Sequence, residues 1–181
     1  MKLSTDPIIV ALDVSSLSCA LKEAERLDPD LCKVKVGKEL FTKVGPDSVI
    51  RLRKMGFDVF LDLKFHDIPN TVASACAAAA VLGCWMVNIH ASGGRAMMET
   101  AANAMAKLST APLLTAVTVL TSLNDNLLAE IGVGDGTLLH TTRLAKLANS
   151  CGLDGVVCSP HEITSVREEV DDSFLIVTPG V

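Results

Sequence analysis

The chain has 181 residues, 49% of them hydrophobic and 20% charged, which is a globular composition long enough for one domain with a real core and unlike that of a disordered chain. Its formal charge is −5 and it has no Lys/Arg-rich run, so nothing in it suggests a nucleic-acid partner. The longest apolar run, 75–87, contains Gly83 and falls short of the roughly 20 residues that a membrane span needs.

Residues 1–7 lack the apolar core and small-residue cleavage site of a signal peptide, which gives the expectation of a cytoplasmic protein. An apolar run, 8–14, is the first predicted strand. Ser15 or Ser16 then caps a helix to about Leu27, and Asp28-Pro29-Asp30 breaks it. A second strand covers 31–37. Gly45-Pro46-Asp47 opens a helix to Met55, which Gly56 stops. The third strand is 58–64, followed by an Ala-rich helix over 69–82, and the fourth strand is 85–91. Gly93-Gly94 leads into a helix ending near Leu108, and the fifth strand is 113–121. Helices over 125–131 and 137–150, a strand over 155–159, a helix over 161–170 and a strand over 174–178 complete the series. The six cysteines form no C-x-x-C pair, and several lie in apolar stretches, so they read as reduced, buried thiols.

Near-continuously apolar strands alternating with helices describe a parallel sheet covered on both faces. That leaves an open doubly wound sheet or a (β/α)8 TIM barrel. The turn Leu12-Asp13-Val14-Ser15-Ser16 carries no Gly-rich dinucleotide loop, which disfavours the open sheet. Polar groups also gather toward the C-terminal strand ends: Asp13, Lys35, Asp62 with Lys64, Asn88 with His90, Thr118 with Thr121, Ser159 and Thr178. A barrel brings such ends to one mouth. The expectation is therefore an α/β barrel, residues 1–181 as one domain, with only seven of its eight strands within the chain.

Strand alternation puts Phe60, Asp62 and Lys64 on one face of the third strand, with Asp62 and Lys64 roughly 7 Å apart. A buried ion pair adds little net stability, so two inward charges at a strand's C-terminal end are better explained as a site. Asp67 precedes Ile68-Pro69 and reads equally as a helix N-cap or as a site residue. Lys35 and Asp13, each at a strand end, carry little weight alone. His66 invites an acid–base role and His90 a metal. No second ligand stands at metal spacing around His90, which leaves it a satisfied polar core residue. His140 and His161 read as surface residues. Ser159-Pro160-His161 has no nucleophile-elbow surroundings.

Several blocks of the chain closely resemble the bacterial type of the orotidine 5′-monophosphate decarboxylase family. They are Ile8-Ile9-Val10-Ala11-Leu12-Asp13, Lys35-Val36-Gly37-Lys38-Glu39, the run DLKFHDIPNT over 62–71, VNIHASGG over 87–94, AVTVLTS over 116–122 and Thr178-Pro179-Gly180. D-x-K-x-x-D alone is shared with other sugar-phosphate lyases, whereas the ten-residue run at 62–71 is highly specific. The resemblance implies that Lys64 protonates the pyrimidine carbon after carbon dioxide leaves and that Asp62 faces the substrate carboxylate. It implies that Asp67 reaches into the neighbouring subunit's site, hence a homodimer. Lys35 would link the charge network to the ribose, Asp13 would bind a ribose hydroxyl, Thr71 and Thr121 would make further substrate contacts, and Ile68 would form apolar wall near the ring. No cofactor and no metal are implied, because alternating Lys35, Asp62, Lys64 and Asp67 hold one another ionised. A magnesium-dependent sugar-phosphate decarboxylase or aldolase of the wider group, with Asp62 as a metal carrier, is the rival reading. A non-catalytic phosphate-binding module is another. The family continues past Thr178-Pro179-Gly180 with phosphate-holding loops and an eighth strand. The expectation is therefore a C-terminally truncated barrel whose 181 residues alone are inactive and poorly soluble.

Overall fold

In the computed structural model, which describes residues 8–180, the apolar runs become strands and the intervening segments helices. The strands are β1 Ile9–Ala11, β2 Lys33–Gly37, β3 Val59–Phe65, β4 Met86–His90, β5 Leu113–Val117, β6 Gly155–Val157 and β7 Leu175–Val177, hydrogen-bonded in chain order within one seven-stranded sheet. The helices are α1 Leu17–Ala24, α2 Lys38–Val44, α3 Asp47–Lys54, α4 Pro69–Val81, α5 Gly94–Met105, α6 Asp125–Glu130, α7 Thr137–Ser150 and α8 Ile163–Arg167. The signal-peptide reading of residues 1–7 falls outside the described residues, as does Val181. Among the described residues no helix is long and apolar enough to cross a membrane.

Most strands are shorter than the apolar runs that announce them. β1 stops at Ala11 and β5 at Val117, although the Leu12 and Thr118 N–H groups still donate to Lys35 and Val157 carbonyls on the next strands, at 3.0 Å each, before the chain enters the loops. α2 is not foreseen in the sequence. It starts directly after β2 with Gly37 as its N-cap, carries a Lys43–Glu39 ion pair of 2.7 Å one turn apart, and ends at Gly45, whose φ of 72° suits glycine. Ser16 is the cap of α1 and accepts from the Cys19 N–H at 3.3 Å. Short 3-10 turns at Ala91–Gly93 and Pro160–Glu162 precede α5 and α8.

The chain forms two compact units. One holds the residues up to Leu63 together with Ala77–Val87, and the other holds Lys64–Cys76 together with the residues from Asn88 onward. In the first unit β1, β2 and β3 pair in parallel, with Ala11 opposite Lys35, Lys35 opposite Phe60 and Gly37 opposite Asp62. Val34, Val36, Val59 and Leu61 are fully buried there, as are Ala20 of α1 and Val49 and Leu52 of α3. Lys33, also buried, lies with its ammonium 4.9 Å from the centroid of the Trp85 ring, so the indole face offsets part of its lost hydration.

In the second unit β5, β6 and β7 pair in parallel, with Thr115 opposite Gly155 and Gly155 opposite Leu175. Met97, Met98 and Ala101 of α5 are buried, as are Leu144, Ala145 and Ala148 of α7, and these two helices pack on each other. A Cβ at Gly155 would collide with the Leu175 backbone carbonyl, which cannot yield as a side-chain tip could.

All six cysteines are free thiols, and five of them are buried. Cys19 departs from the expectation and is exposed. The buried face of α1 is set by Ala20 and Ala24, one turn apart, and Cys19 lies off it. Burial pushes the Cys84 thiol up to about 11, and burial together with the Glu162 carboxylate pushes Cys158 up to about 12.

Two outcomes are expected. Replacing Gly155 with alanine lowers unfolding stability by about 1–3 kcal/mol, read as a lower urea midpoint at unchanged slope. The pH effect follows from the thiols: an unfolded thiol ionises near 9.0, whereas the folded Cys84 and Cys158 keep their protons to about 11 and 12. Between those values the folded state binds more protons, so stability is full below about pH 9 and falls as the pH rises through this window. Urea titrations from pH 8 to pH 11 should show the decline, and replacing both cysteines with alanine should flatten it.

Candidate active site

β1 and β2 are held in register at their C-terminal ends by the Leu12 N–H donating to the Lys35 carbonyl at 3.0 Å. This sets Asp13 immediately beyond β1, beside Lys35. The Lys35 ammonium lies 3.1 Å from Asp13 Oδ1 and 3.5 Å from Asp62 Oδ2. One cation thus stands between two carboxylates drawn from the ends of β1 and β3. Their exposures differ: the Asp13 side chain is 68% exposed, the Asp62 side chain 11% and Lys35 20%. The Lys35–Asp62 contact is therefore the less screened of the two.

Gly37 belongs to this cluster, and the sequence reading missed it as a site residue. A Cβ there would sit 3.2 Å from Asp13 Oδ1 and 3.5 Å from the Lys35 ammonium. A glycine at a strand end two residues after a lysine is the available signal, since glycine in a strand marks close approach.

β3 carries the rest of the charged run. Val59 and Leu61 are fully buried, Phe60 is 3% exposed and Asp62 9%, so both faces of the strand are covered until Asp62. At Lys64 the backbone turns. Its φ of 52° is the only positive value at a non-glycine position among the described residues. β3 nevertheless runs on to Phe65, so Lys64 departs from extended backbone inside the strand. The Lys64 N–H donates to the Asn88 side-chain oxygen at 2.8 Å.

Asp67 is exposed, and its Oδ1 accepts from the Ile68 N–H at 2.6 Å. The Ile68 carbonyl accepts from the N–H groups of Thr71 and Val72 at 3.1 and 3.2 Å, so Ile68 occupies the cap position of α4 and Asp67 precedes it. The carboxylate orders the turn into the helix without bonding the first-turn amides of an ordinary aspartate N-cap. Ile68 is 67% exposed, and Thr71 is exposed as well. The His66 and His90 rings are tilted at 39° with centroids 5.4 Å apart.

In the second unit, Thr121 lines an open cavity of about 730 Å³ together with Asn124, Ser159, His161 and Glu162. Ser159 and Glu162 form a capping box: Ser159 Oγ accepts from the His161 N–H at 3.3 Å, and Glu162 accepts from the Ser159 N–H at 2.8 Å. Glu162 also accepts from the Thr141 hydroxyl at 3.1 Å. S-x-x-E with an intervening proline was legible as a helix start and went unread. His161 is exposed as expected. His140 is not: it is half-buried on α7, its Nδ1 is enclosed without a hydrogen-bond partner, and burial followed by the Arg143 charge lowers its proton affinity. Among the described residues no three His, Cys, Asp or Glu side chains are placed to hold a metal ion together.

A parallel sheet with charged groups at the C-terminal ends of β1, β2 and β3 defines the class as an α/β-barrel enzyme, the architecture that keeps its chemistry at that end. Comparison with known proteins narrows this. Residues 6–181 match the model of the family described as "Orotidine 5′-phosphate decarboxylase / HUMPS family". An orotidine 5′-phosphate decarboxylase of Marinomonas sp. is 55% identical over 176 residues, which are 97% of this chain and 75% of that protein. One from Nitrosomonas europaea is 58% identical over 177 residues, 97% of this chain and 76% of its own length. The crystal structure of orotidine 5′-phosphate decarboxylase from Lactobacillus acidophilus superposes with a TM-score of 0.89 at 40% identity, covering 97% of this chain and 81% of that one. The chain belongs to the orotidine 5′-phosphate decarboxylase / HUMPS family, and its fold is the α/β fold of the (β/α)8 barrel, with seven strands among the described residues.

Proposed function

We propose that the protein decarboxylates orotidine 5′-monophosphate to uridine 5′-monophosphate, a step of pyrimidine biosynthesis, without a cofactor. The observation that carries this reading is the ion chain Asp13–Lys35–Asp62, which ends two residues before Lys64 in a family member whose relatives bear that enzyme name. Loss of carbon dioxide from the pyrimidine leaves an electron pair on C6 with no adjacent carbonyl to receive it. Fixed charge has to stabilise that pair. In this reading the Lys64 ammonium opposes the developing carbanion and then transfers a proton to C6. The C6–carboxylate bond breaks, a C6–H bond forms, carbon dioxide departs, and solvent returns the proton to Lys64.

Asp62 faces the substrate carboxylate and disfavours it more in the ground state than in the transition state, where its charge is leaving. Lys35 keeps Asp62 ionised and links it to the ribose, whose hydroxyl Asp13 accepts. Thr71 and Thr121 hold further substrate atoms, and Ile68 supplies apolar surface beside the ring. Asp67 serves the neighbouring subunit's site in a homodimer. The same reading makes the enzyme cytoplasmic.

Lys64→Ala in the full-length protein is expected to lower kcat by about a thousandfold or more while uridine 5′-monophosphate still binds. A spectrophotometric assay of orotidine 5′-monophosphate loss, paired with calorimetric titration of the product, measures both. Activity that survives exhaustive EDTA treatment separates this reading from the magnesium-dependent lyase, and turnover itself separates it from a binding module. For the shared site, mixing inactive Lys64→Ala and Asp67→Ala subunits should restore activity, because one of the two hybrid sites then contains both wild-type residues. Recovery no greater than the sum of the two parents would contradict it.

A further inference from the structure

Lys64 sits in a backbone conformation that glycine prefers, and a lysine is held there at a cost. Such strain persists only where surrounding groups over-determine it. The group doing so here lies on the neighbouring strand. Asn88 interrupts the apolar residues of β4, in which Met86, Val87 and Ile89 are at most 1% exposed, and Asn88 itself is fully buried. A buried amide in such a strand is costly unless its hydrogen bonds are made. Its side-chain oxygen takes the Lys64 N–H at 2.8 Å. The Lys64 N–H is thus taken by a side-chain acceptor at the residue whose φ of 52° departs from extended backbone.

We propose that Asn88 is a positioning residue for Lys64: its carbonyl oxygen holds the Lys64 backbone in the left-handed region and so fixes the direction from which the ammonium approaches the reacting carbon. This rests on the proton-donor role of Lys64 proposed above. Asn88 touches neither substrate nor reacting atoms in this account. Its effect runs through the backbone of another residue, so it belongs to the rate of proton delivery and not to substrate affinity.

Asn88→Ala and Asn88→Asp in the full-length protein test this against a merely structural role. Alanine removes the acceptor. Aspartate keeps an acceptor oxygen of the same reach but buries a charge, so it is the less stable variant. A structural role makes activity follow stability, with Asn88→Asp the worse enzyme. Positioning reverses that order. Asn88→Ala is expected to lose about 10- to 100-fold in kcat at unchanged affinity for uridine 5′-monophosphate. Asn88→Asp should retain more kcat than Asn88→Ala despite its lower melting temperature. Deuterium exchange of the Lys64 amide, read by NMR, reports the bond directly. It should be slow in wild type and Asn88→Asp and fast in Asn88→Ala, with the Leu61 amide protected in all three. Wild-type kcat in Asn88→Ala, or an unchanged Lys64 exchange rate, overturns the inference while leaving the function standing if Lys64→Ala is inactive. A wild-type protein that does not consume orotidine 5′-monophosphate, or a fully active Lys64→Ala variant, overturns the functional reading and takes the positioning role with it.

Discussion

One ammonium between two carboxylates organises the charged end of the first three strands. Lys35 reaches Asp13 at 3.1 Å and Asp62 at 3.5 Å, and the parallel register that sets Ala11 opposite Lys35 and Gly37 opposite Asp62 makes both contacts possible. The two contacts are not equal. Asp13 is largely solvated, so its pairing contributes at most about 1 kcal/mol. Asp62 is 9% exposed, so the Lys35 charge beside it is less screened and offsets part of the cost of burying a carboxylate. The lysine is thus worth more as the counter-charge of a nearly buried carboxylate than as a link between strands. Gly37 belongs to the same constraint, since a Cβ there would crowd Asp13 Oδ1 while touching the Lys35 ammonium.

Much of the architecture was legible because a parallel sheet writes a coarse pattern. α7 spans 137–150 as its periodicity and flanking glycine indicate, and α4 begins at Pro69 for the reason proline starts helices. The misses share a cause, which is that local patterns overlap. α2 begins with no linker after β2, so the strand's apolar run and the helix's periodicity merge around Gly37-Lys38. β1 and β5 are shorter than their apolar runs because buried apolar residues such as Leu12 and Val119 continue past the strand ends, so hydrophobicity alone does not mark where a strand stops. His140 looked polar enough for the surface, yet the packing of α7 encloses part of its ring.

The site was legible at two levels. Residue types at strand ends pointed to Asp62 and Lys64, and register then set Lys35 between Asp13 and Asp62. Asp67 could not be settled from spacing. The structure sets it one residue before the α4 cap, bonded to the Ile68 N–H. Thr71 and Ile68 carry no signal of their own in the sequence and came only with the family resemblance, whereas Thr121 stands among the polar strand-end residues and took its substrate role from that resemblance. The conformation of Lys64 lay beyond any pattern, since nothing in DLKFHD distinguishes an extended lysine from one with φ at 52°.

That conformation sets two requirements against each other at one position. The backbone at residue 64 favours glycine or asparagine, and a lysine there forgoes about 1–2 kcal/mol. A lineage under pressure for thermal endurance alone would drift toward the smaller residue, gaining robustness and, on the proposed reading, losing its chemistry in a single exchange. Directed evolution that selects for heat resistance without assaying turnover therefore has an attractive dead end at this residue. Stabilising changes are better sought elsewhere in the chain, away from the β3–β4 contact made by Asn88.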